Sequence, residues 1–248
     1  MLMDFQRVSI GSWIQLGAPD IIRLMIESGF EWLVLDMEHG NVFESSLPQL
    51  LDVFEGTNCT PIVRVRPDSP QTEVKRILDL GCKTIIIPGV KSKDDITVSL
   101  ESCLYPPKGK RGIGYSRANN FGLNFGEYFS SINDEIQIIP QIENRKAVEN
   151  IDAIFSLKEV KTYIIGPYDL TGSLGITGEF EREEYLNAVN QIKKSALENN
   201  VAPGTHVVCP KPEDLKTAIK DDNKFIAYGT DALLIYEKIR SDFSRVKD

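Results

Sequence analysis

Short apolar, β-branched runs recur along the chain, and a helix-length segment follows almost every one. The runs lie at 8–16 (VSIGSWIQL), 31–37 (EWLVLDM), 60–65 (TPIVRV), 84–90 (TIIIPGV), 136–143 (IQIIPQIE), 161–167 (KTYIIGP), 202–208 (APGTHVV) and 225–233 (FIAYGTDAL). Several are apolar almost throughout, as strands buried on both faces of a parallel sheet must be. Between them, 18–29 and 68–81 read as amphipathic helices ending on Gly29 and Gly81, residues suited to a helix C-cap. Longer helical patterns cover 144–157 and 181–200. Alternation of strands and helices leaves two architectures, a (β/α)8 barrel and a doubly wound open sheet. No GxGxxG follows the first strand, and eight runs match the barrel number, so the pattern predicts an α/β fold of the (β/α)8 TIM-barrel type. The stretch 103–134, with Pro106, Pro107 and five glycines, breaks the rhythm and reads as a long loop or excursion.

Length and charge narrow the picture. A chain of 248 residues suits one such barrel spanning 1–248, with no repeat or linker to divide it. The net charge of −8 argues against a nucleic-acid surface. The basic clump KGKRG at 108–112 reads as a solvated loop, with an anion site as the alternative. Cys59, Cys82, Cys103 and Cys209 show no metal spacing and read as reduced thiols. No apolar run has the length of a membrane span and no signal peptide stands at the N-terminus, so a soluble, cytoplasmic protein is expected.

Barrel chemistry gathers where strands end and the following loops begin. Those positions offer Trp13 and Gln15 after the first run, and Asp36, Glu38 and His39 after the second. Arg64 and Arg66 close the third, Gln141 and Glu143 the fifth, Asp169 follows the sixth and His206 lies in the seventh. Glu143 and Asp169, on neighbouring strands, suit a hard divalent cation, although both also fit helix N-caps. The segment GPYDLTGSLG places free backbone N–H groups beside Asp169, a seat for a carboxylate. His39 alone reads as an ordinary structural histidine; beside Asp36, Glu38 and an inward Arg64 it reads as functional. No lysine ends a strand, since Lys83 and Lys161 open theirs, so a Schiff-base mechanism has no nucleophile.

Eight segments in order, GSW (11–13), LDMEHGN (35–41), PIVRV (61–65), ILDLGCKTIIIPGV (77–90), YPPKGKRGIG (105–114), QIENRKAV (141–148), GPYDLTGSLG (166–175) and YGTDALLI (228–235), resemble the HpcH/HpaI aldolase family of metal-dependent, class II pyruvate aldolases. The resemblance implies a phosphoenolpyruvate/pyruvate-type barrel that cleaves a 4-hydroxy-2-oxo acid to pyruvate and an aldehyde, or runs the reverse addition. It implies Glu143 and Asp169 as ligands of Mg²⁺ or Mn²⁺, with Co²⁺ a further candidate, and the N–H groups of Tyr168 and Asp169 as the seat of the pyruvate carboxylate. It makes Arg64 the partner of the C2 oxygen and His39 the base. Asp79 would orient that base across a subunit boundary, hence a homo-oligomer, a trimer or hexamer. Trp13 and Gln141 match pocket residues, and Asp36 and Glu38 match supporting polar positions.

The departures fall at the acceptor end. YSRANNFG after RGIG is short, PGV replaces a commoner PMV, and His206 stands where many members carry an aliphatic residue. His206 reads as a polar contact to a hydroxylated or charged aldehyde, or as a strand-end residue bonded to backbone; Arg117 is the candidate partner for an anionic group on that aldehyde. The expected partners are thus a small 2-oxo acid and an aldehyde, without nucleic acid or membrane. A citrate-lyase-like acyl-CoA lyase and a catalytically silent binding barrel are the rival readings.

Overall fold

A strand with neighbours on both edges and cover on both faces is apolar at nearly every position, and β2 (Trp32–Asp36) is buried at all five. The computed structural model, which describes residues 3–67 and 70–247, sets β2 among β1 (Ser9–Ile14), β3 (Thr60–Arg64), β4 (Thr84–Ile87), β5 (Gln137–Ile142), β6 (Ile164–Ile165), β7 (Gly204–Val207) and β8 (Phe225–Thr230). All pairings are parallel, in the order β6-β5-β4-β3-β2-β1-β8-β7. A parallel bridge between Thr162 and Ala202 joins the two ends, reinforced by the Thr162 hydroxyl donating to the Ala202 carbonyl at 2.9 Å. The sheet is a (β/α)8 barrel, as the alternation predicts.

The outer layer comprises α1 (Pro19–Glu27), α2 (Leu47–Asp52), α3 (Pro70–Asp79), α4 (Lys93–Cys103), α5 (Phe125–Glu135), α6 (Arg145–Glu149), α7 (Ile151–Phe155), α8 (Pro167–Leu174), α9 (Glu183–Glu198), α10 (Pro212–Lys220) and α11 (Asp231–Lys247). Among the described residues, no helix is long and apolar enough to cross a membrane. Gly29 and Gly81 follow α1 and α3 with φ of 97° and 105°, the left-handed conformation a C-cap needs.

Several boundaries differ from the sequence pattern, each for a local reason. Residues 68 and 69 of the helix expected at 68–81 lie outside the described residues. β4 stops at Ile87 because Pro88 has no N–H for the ladder. β6 is two residues long because Pro167 opens α8 immediately after Gly166. The segment 144–157 divides into α6 and α7 at Asn150. The excursion at 103–134 is not loop throughout: it contains a 3-10 turn (Arg117–Gly122) and then α5, whose Ile132 is buried.

Strand parity decides what the barrel encloses. Side chains of one parity, among them Trp32, Val34, Ile62, Ile86, Ile139, Ile164, Ala202, Phe225 and Ala227, pack with Phe5 into an apolar interior. The other parity, such as Leu33, Leu35, Val63 and Ile85, packs against the helices. At the N-terminal end Trp32 stacks on Phe225, with ring centroids 4.0 Å apart, and Phe5 meets Phe225 edge-on. Following the inward parity upward, the lining turns polar: Val34 leads to Asp36, Ile62 to Arg64, Ile139 to Gln141, and Gly204 to His206. The closed apolar floor thus fixes a polar mouth at the C-terminal ends of the strands.

Gly11 is required by that floor. A Cβ at this position would sit 2.0–2.4 Å from the Trp32 indole, itself locked against Phe225. Replacing it by alanine forces the stacked pair to shift, and overpacking of this kind costs about 1–3 kcal/mol. Gly11→Ala is expected to lower the unfolding free energy by that amount, seen as a lower urea midpoint with an unchanged m-value; an unchanged midpoint would show that the Trp32 floor has slack.

Candidate active site at the barrel mouth

Asp36 and Arg64 are register partners on β2 and β3, so their side chains enter the mouth side by side. Arg64 donates from Nε to Asp36 Oδ1 at 2.9 Å and from Nη2 to Asp36 Oδ2 at 2.7 Å, a bidentate pair with both side chains buried. Asp36 Oδ1 also accepts the backbone N–H groups of Glu38 and His39, at 3.1 and 3.2 Å. One carboxylate therefore fixes the guanidinium and shapes the turn that presents Glu38 and His39.

Arg64 has five N–H donors and three are engaged, the third donating from Nη1 to Gln141 Oε1 at 3.5 Å. One hydrogen on Nη1 and one on Nη2 remain. Its guanidinium carbon lies 4.4 Å from the centre of the Trp13 ring, which fixes the plane of the fork. Glu38 Oε2 is 3.0 Å from Nη1 but poorly aligned, so it is an ion-pair contact with acceptor capacity unspent. His39 Nε2 stands 3.9 Å from Glu38 Oε1, and 59% of the histidine side chain is exposed, open to a substrate entering the mouth.

Across the mouth, Glu143 follows β5 and is buried. The N–H of Gly89 donates to its Oε1 and the Gln141 amide to its Oε2. Gly166, the N-cap of α8, lies against the same carboxylate: a Cβ there would be 2.6 Å from Glu143 Oε2. Only glycine lets the start of α8 approach so closely. Asp169 lies in the first turn of α8, behind Gly166 and Pro167, so it is not the N-cap that the sequence left open. The N–H groups of Tyr168 and Asp169 fall in the first turn, where no intrahelical acceptor exists. The Tyr168 ring packs edge-on against Phe180 and is half exposed.

The electrostatics of this group are uneven. Burial pushes the Glu38 carboxyl up from the usual carboxylate range, Arg64 opposes this, and Asp36 and Asp169 add to it. Burial also pushes Glu143 up, Gly89 and Gln141 pull it back, and Glu38 and Asp169 raise it further. Four carboxylates thus share one guanidinium. A divalent cation fits this set: hard oxygen donors, held from behind by Gly89 and Gln141, with negative charge in excess. Among the described residues no group of three or more His, Cys, Asp or Glu is placed as a metal cage; Glu143 and Asp169 are the carboxylates that could hold a cation together with water and substrate oxygens.

Two sequence candidates lie elsewhere in their own chain. Asp79 ends α3, at the opposite end of the barrel from His39, and accepts a hydrogen bond from Arg111 Nη2 at 2.6 Å. Arg117 donates to the Pro48 carbonyl at 3.2 Å and pairs with Asp52 and Glu55. It lines a cavity of about 620 Å³ beside the starts of β3 and β4, shared with Thr60 and Lys83 and remote from the mouth. Asp36, Glu38, Arg64, Gln141, Glu143, Trp13 and His206 do come together, with His39 and Asp169 at the rim.

Sequence reasoning overlooked three supports. The Gly89 N–H and the Gly166 approach are backbone features of residues with no chemistry of their own. Asp231 is buried at the start of α11 and accepts the N–H groups of Gln15 and Leu16, both at 3.0 Å, anchoring the end of β1 that carries Trp13. Its signal was present: an aspartate directly before an apolar helical run is an N-cap pattern.

Comparison with known proteins identifies the family. The family model described as HpcH/HpaI aldolase/citrate lyase matches residues 9–237. The chain is 34% identical over 228 residues to the 5-keto-4-deoxy-D-glucarate aldolase of Escherichia coli (strain K12), covering 91% of this chain and 87% of that one. It superposes on an HpcH/HpaI aldolase from Desulfitobacterium hafniense DCB-2 with a TM-score of 0.89 at 28% identity, covering 98% of this chain and 94% of that one. A family member from Burkholderia cenocepacia J2315, at 24% identity, shares the fold with a TM-score of 0.91, over 98% of this chain and 96% of that one. The ordered motifs and the matching model over 9–237 agree, and the chain belongs to the HpcH/HpaI aldolase/citrate lyase family.

Proposed function

We propose that the mouth catalyses retro-aldol cleavage of a 4-hydroxy-2-oxo acid to pyruvate and an aldehyde, and the reverse addition, with a divalent cation bound. The observation that carries this reading is the convergence of Glu143 and the first turn of α8, which bears Asp169, on a mouth in which the buried Arg64 guanidinium is clamped by Asp36. The Escherichia coli relative, named for 5-keto-4-deoxy-D-glucarate, supports a sugar-derived acid as the substrate class.

Each residue has a defined task in this scheme. The N–H groups of Tyr168 and Asp169, at the positive end of α8, receive the substrate carboxylate. The remaining donors of Arg64 meet the C2 oxygen, and the Asp36 clamp holds them there without reorganisation. His39 removes the proton from the C4 hydroxyl. The C3–C4 electron pair moves toward C2 and its oxygen, C4 becomes the aldehyde carbonyl, and a proton returned to C3 completes pyruvate. Glu143 and Asp169 would hold the cation, Mg²⁺ or Mn²⁺ with Co²⁺ a further candidate, which supplies positive charge to the substrate carboxylate and C2 oxygen. Asp79, which its own chain keeps from His39, fits the orienting role only if a second copy brings it there, and the same holds for Arg117 toward the aldehyde.

The acyl-CoA reading loses its main support in the basic clump. Lys108 pairs with Asp134, Lys110 with Glu101, and Arg111 is buried against Asp79, so the charges of this clump are already met within the chain. The silent-barrel reading requires a missing base or ligand pair, whereas His39, Glu143 and Asp169 are all present.

Pyruvate release from a panel of sugar-derived 4-hydroxy-2-oxo acids is expected with Mg²⁺ or Mn²⁺ and not with EDTA. Glu143→Gln should lower it by about 10³-fold, equivalent to roughly 4 kcal/mol of lost charge stabilisation. Metal-independent release, or full activity in the Gln variant, would overturn the scheme. Asp36→Asn leaves the buried guanidinium without its bidentate partner. It should destabilise the fold by about 3 kcal/mol in urea unfolding, and it should lower pyruvate release because Arg64 and the His39 turn are freed together. Loss of stability with undiminished turnover would separate the clamp from catalysis.

A further inference from the structure

His206 is unaccounted for by the chemistry above. It stands on β7 at the inward parity, beside Ala227 of β8, and its ring lies 5.6 Å from the Trp13 ring at a tilt of 36°. Trp13 in turn carries Arg64 on its face, so the imidazole belongs to the same wall as the guanidinium.

The tautomer of this histidine follows from one contact. His206 Nε2 is 3.3 Å from the Gly229 carbonyl oxygen. A carbonyl oxygen only accepts, so Nε2 carries the hydrogen and, in a neutral ring, Nδ1 carries the lone pair. Burial is the main force keeping the ring neutral, lowering its pKa to about 4; the Gly229 carbonyl and Asp36 oppose this, and Arg64 reinforces it. Nδ1 makes no hydrogen bond within the described residues. It is also absent from the sealed, unpartnered atoms of the interior, which include its neighbour Trp13 Nε1. Nδ1 is therefore a reachable acceptor with nothing bound to it.

Only some groups suit such an atom. A carboxylate has no hydrogen to offer, and the negative charge of Asp36, felt at His206, would repel it. A methyl group would strip water from Nδ1 and leave the acceptor unsatisfied, which costs about 1–3 kcal/mol. A hydroxyl donates and satisfies it. Because His206 is on the strand itself and not on a loop above the mouth, it reaches atoms close to the reacting carbons and not a distant tail.

We propose that His206 Nδ1 accepts a hydrogen bond from a hydroxyl on the carbon beside the aldehyde carbonyl, so that the acceptor subsite selects 2-hydroxyaldehydes. In the cleavage direction this selects 4-hydroxy-2-oxo acids with a further hydroxyl at C5. The inference rests on the aldolase reading and deepens it, assigning a specificity-determining role to His206.

The test is aldol addition to pyruvate with two aldehydes of nearly equal size, glycolaldehyde and acetaldehyde, in the Mn²⁺-loaded protein. The wild type is expected to favour glycolaldehyde in kcat/KM by tenfold or more. His206→Leu should bring the ratio close to one, chiefly through the KM for glycolaldehyde. His206→Asn, which retains an acceptor oxygen, should keep part of the preference. A wild-type ratio near one, or a Leu variant with the wild-type ratio, overturns the assignment. A wild type that forms no product from pyruvate with either aldehyde removes the aldolase reading, and this inference with it.

Discussion

The bidentate pair between Asp36 and Arg64 is the constraint around which the site is built. A guanidinium inside a barrel mouth is costly unless its charge is met and its hydrogens are placed. Asp36 does both, and its Oδ1 also gathers the N–H groups of Glu38 and His39. Fixing one carboxylate therefore fixes the buried guanidinium, a second acidic residue and the candidate base. The pairing is inherited from register: Asp36 lies opposite Arg64 because Trp32 lies opposite Thr60, four residues below.

That register depends on the floor. Trp32, Phe225 and Phe5 close the N-terminal end with aromatic rings, and Gly11 gives way to the indole. Above them the inward parity carries medium-sized aliphatic residues until it meets Trp13, Asp36, Arg64, Gln141 and His206. The apolar interior provides the rigidity and the polar layer the chemistry, with a boundary only one inward step deep on β2 and β3. β5 and α8 contribute the opposite wall, where Gly166 permits the start of a helix to touch a buried carboxylate. A positive helix terminus, an excess of carboxylates and a clamped guanidinium then converge from different elements without any loop needing to close over them.

Much of this was legible in the chain. Hydrophobic period gave the number of strands, and polar residues after Val34, Ile62 and Ile139 marked the mouth because strand parity is a local property. Boundaries set by proline at 88 and 167, and the helix inside 103–134, were blurred because they depend on single backbone donors and on packing outside the segment. The Asp36–Arg64 clamp could not be read, since it requires knowing that β2 pairs with β3 in that register. Gly89 and Gly166 act through backbone atoms that no residue code announces. Asp79 and Arg117 carried chemistry by resemblance alone, and within one chain they serve the loop 105–112 and the lower face beside α2. His206 was visible as a departure, yet its tautomer depended on a carbonyl 23 residues away in β8.

The central claim is that Glu143 and Asp169 organise a cation against which Arg64 meets a 2-oxo acid. Anomalous diffraction at the manganese edge, from crystals soaked with Mn²⁺ and pyruvate, addresses it directly. The account predicts one strong peak in the mouth, ligated by Glu143 and Asp169, with the pyruvate C2 oxygen within hydrogen-bond reach of Arg64. A peak bound elsewhere, or pyruvate lodged in the mouth without metal and away from Arg64, would contradict it.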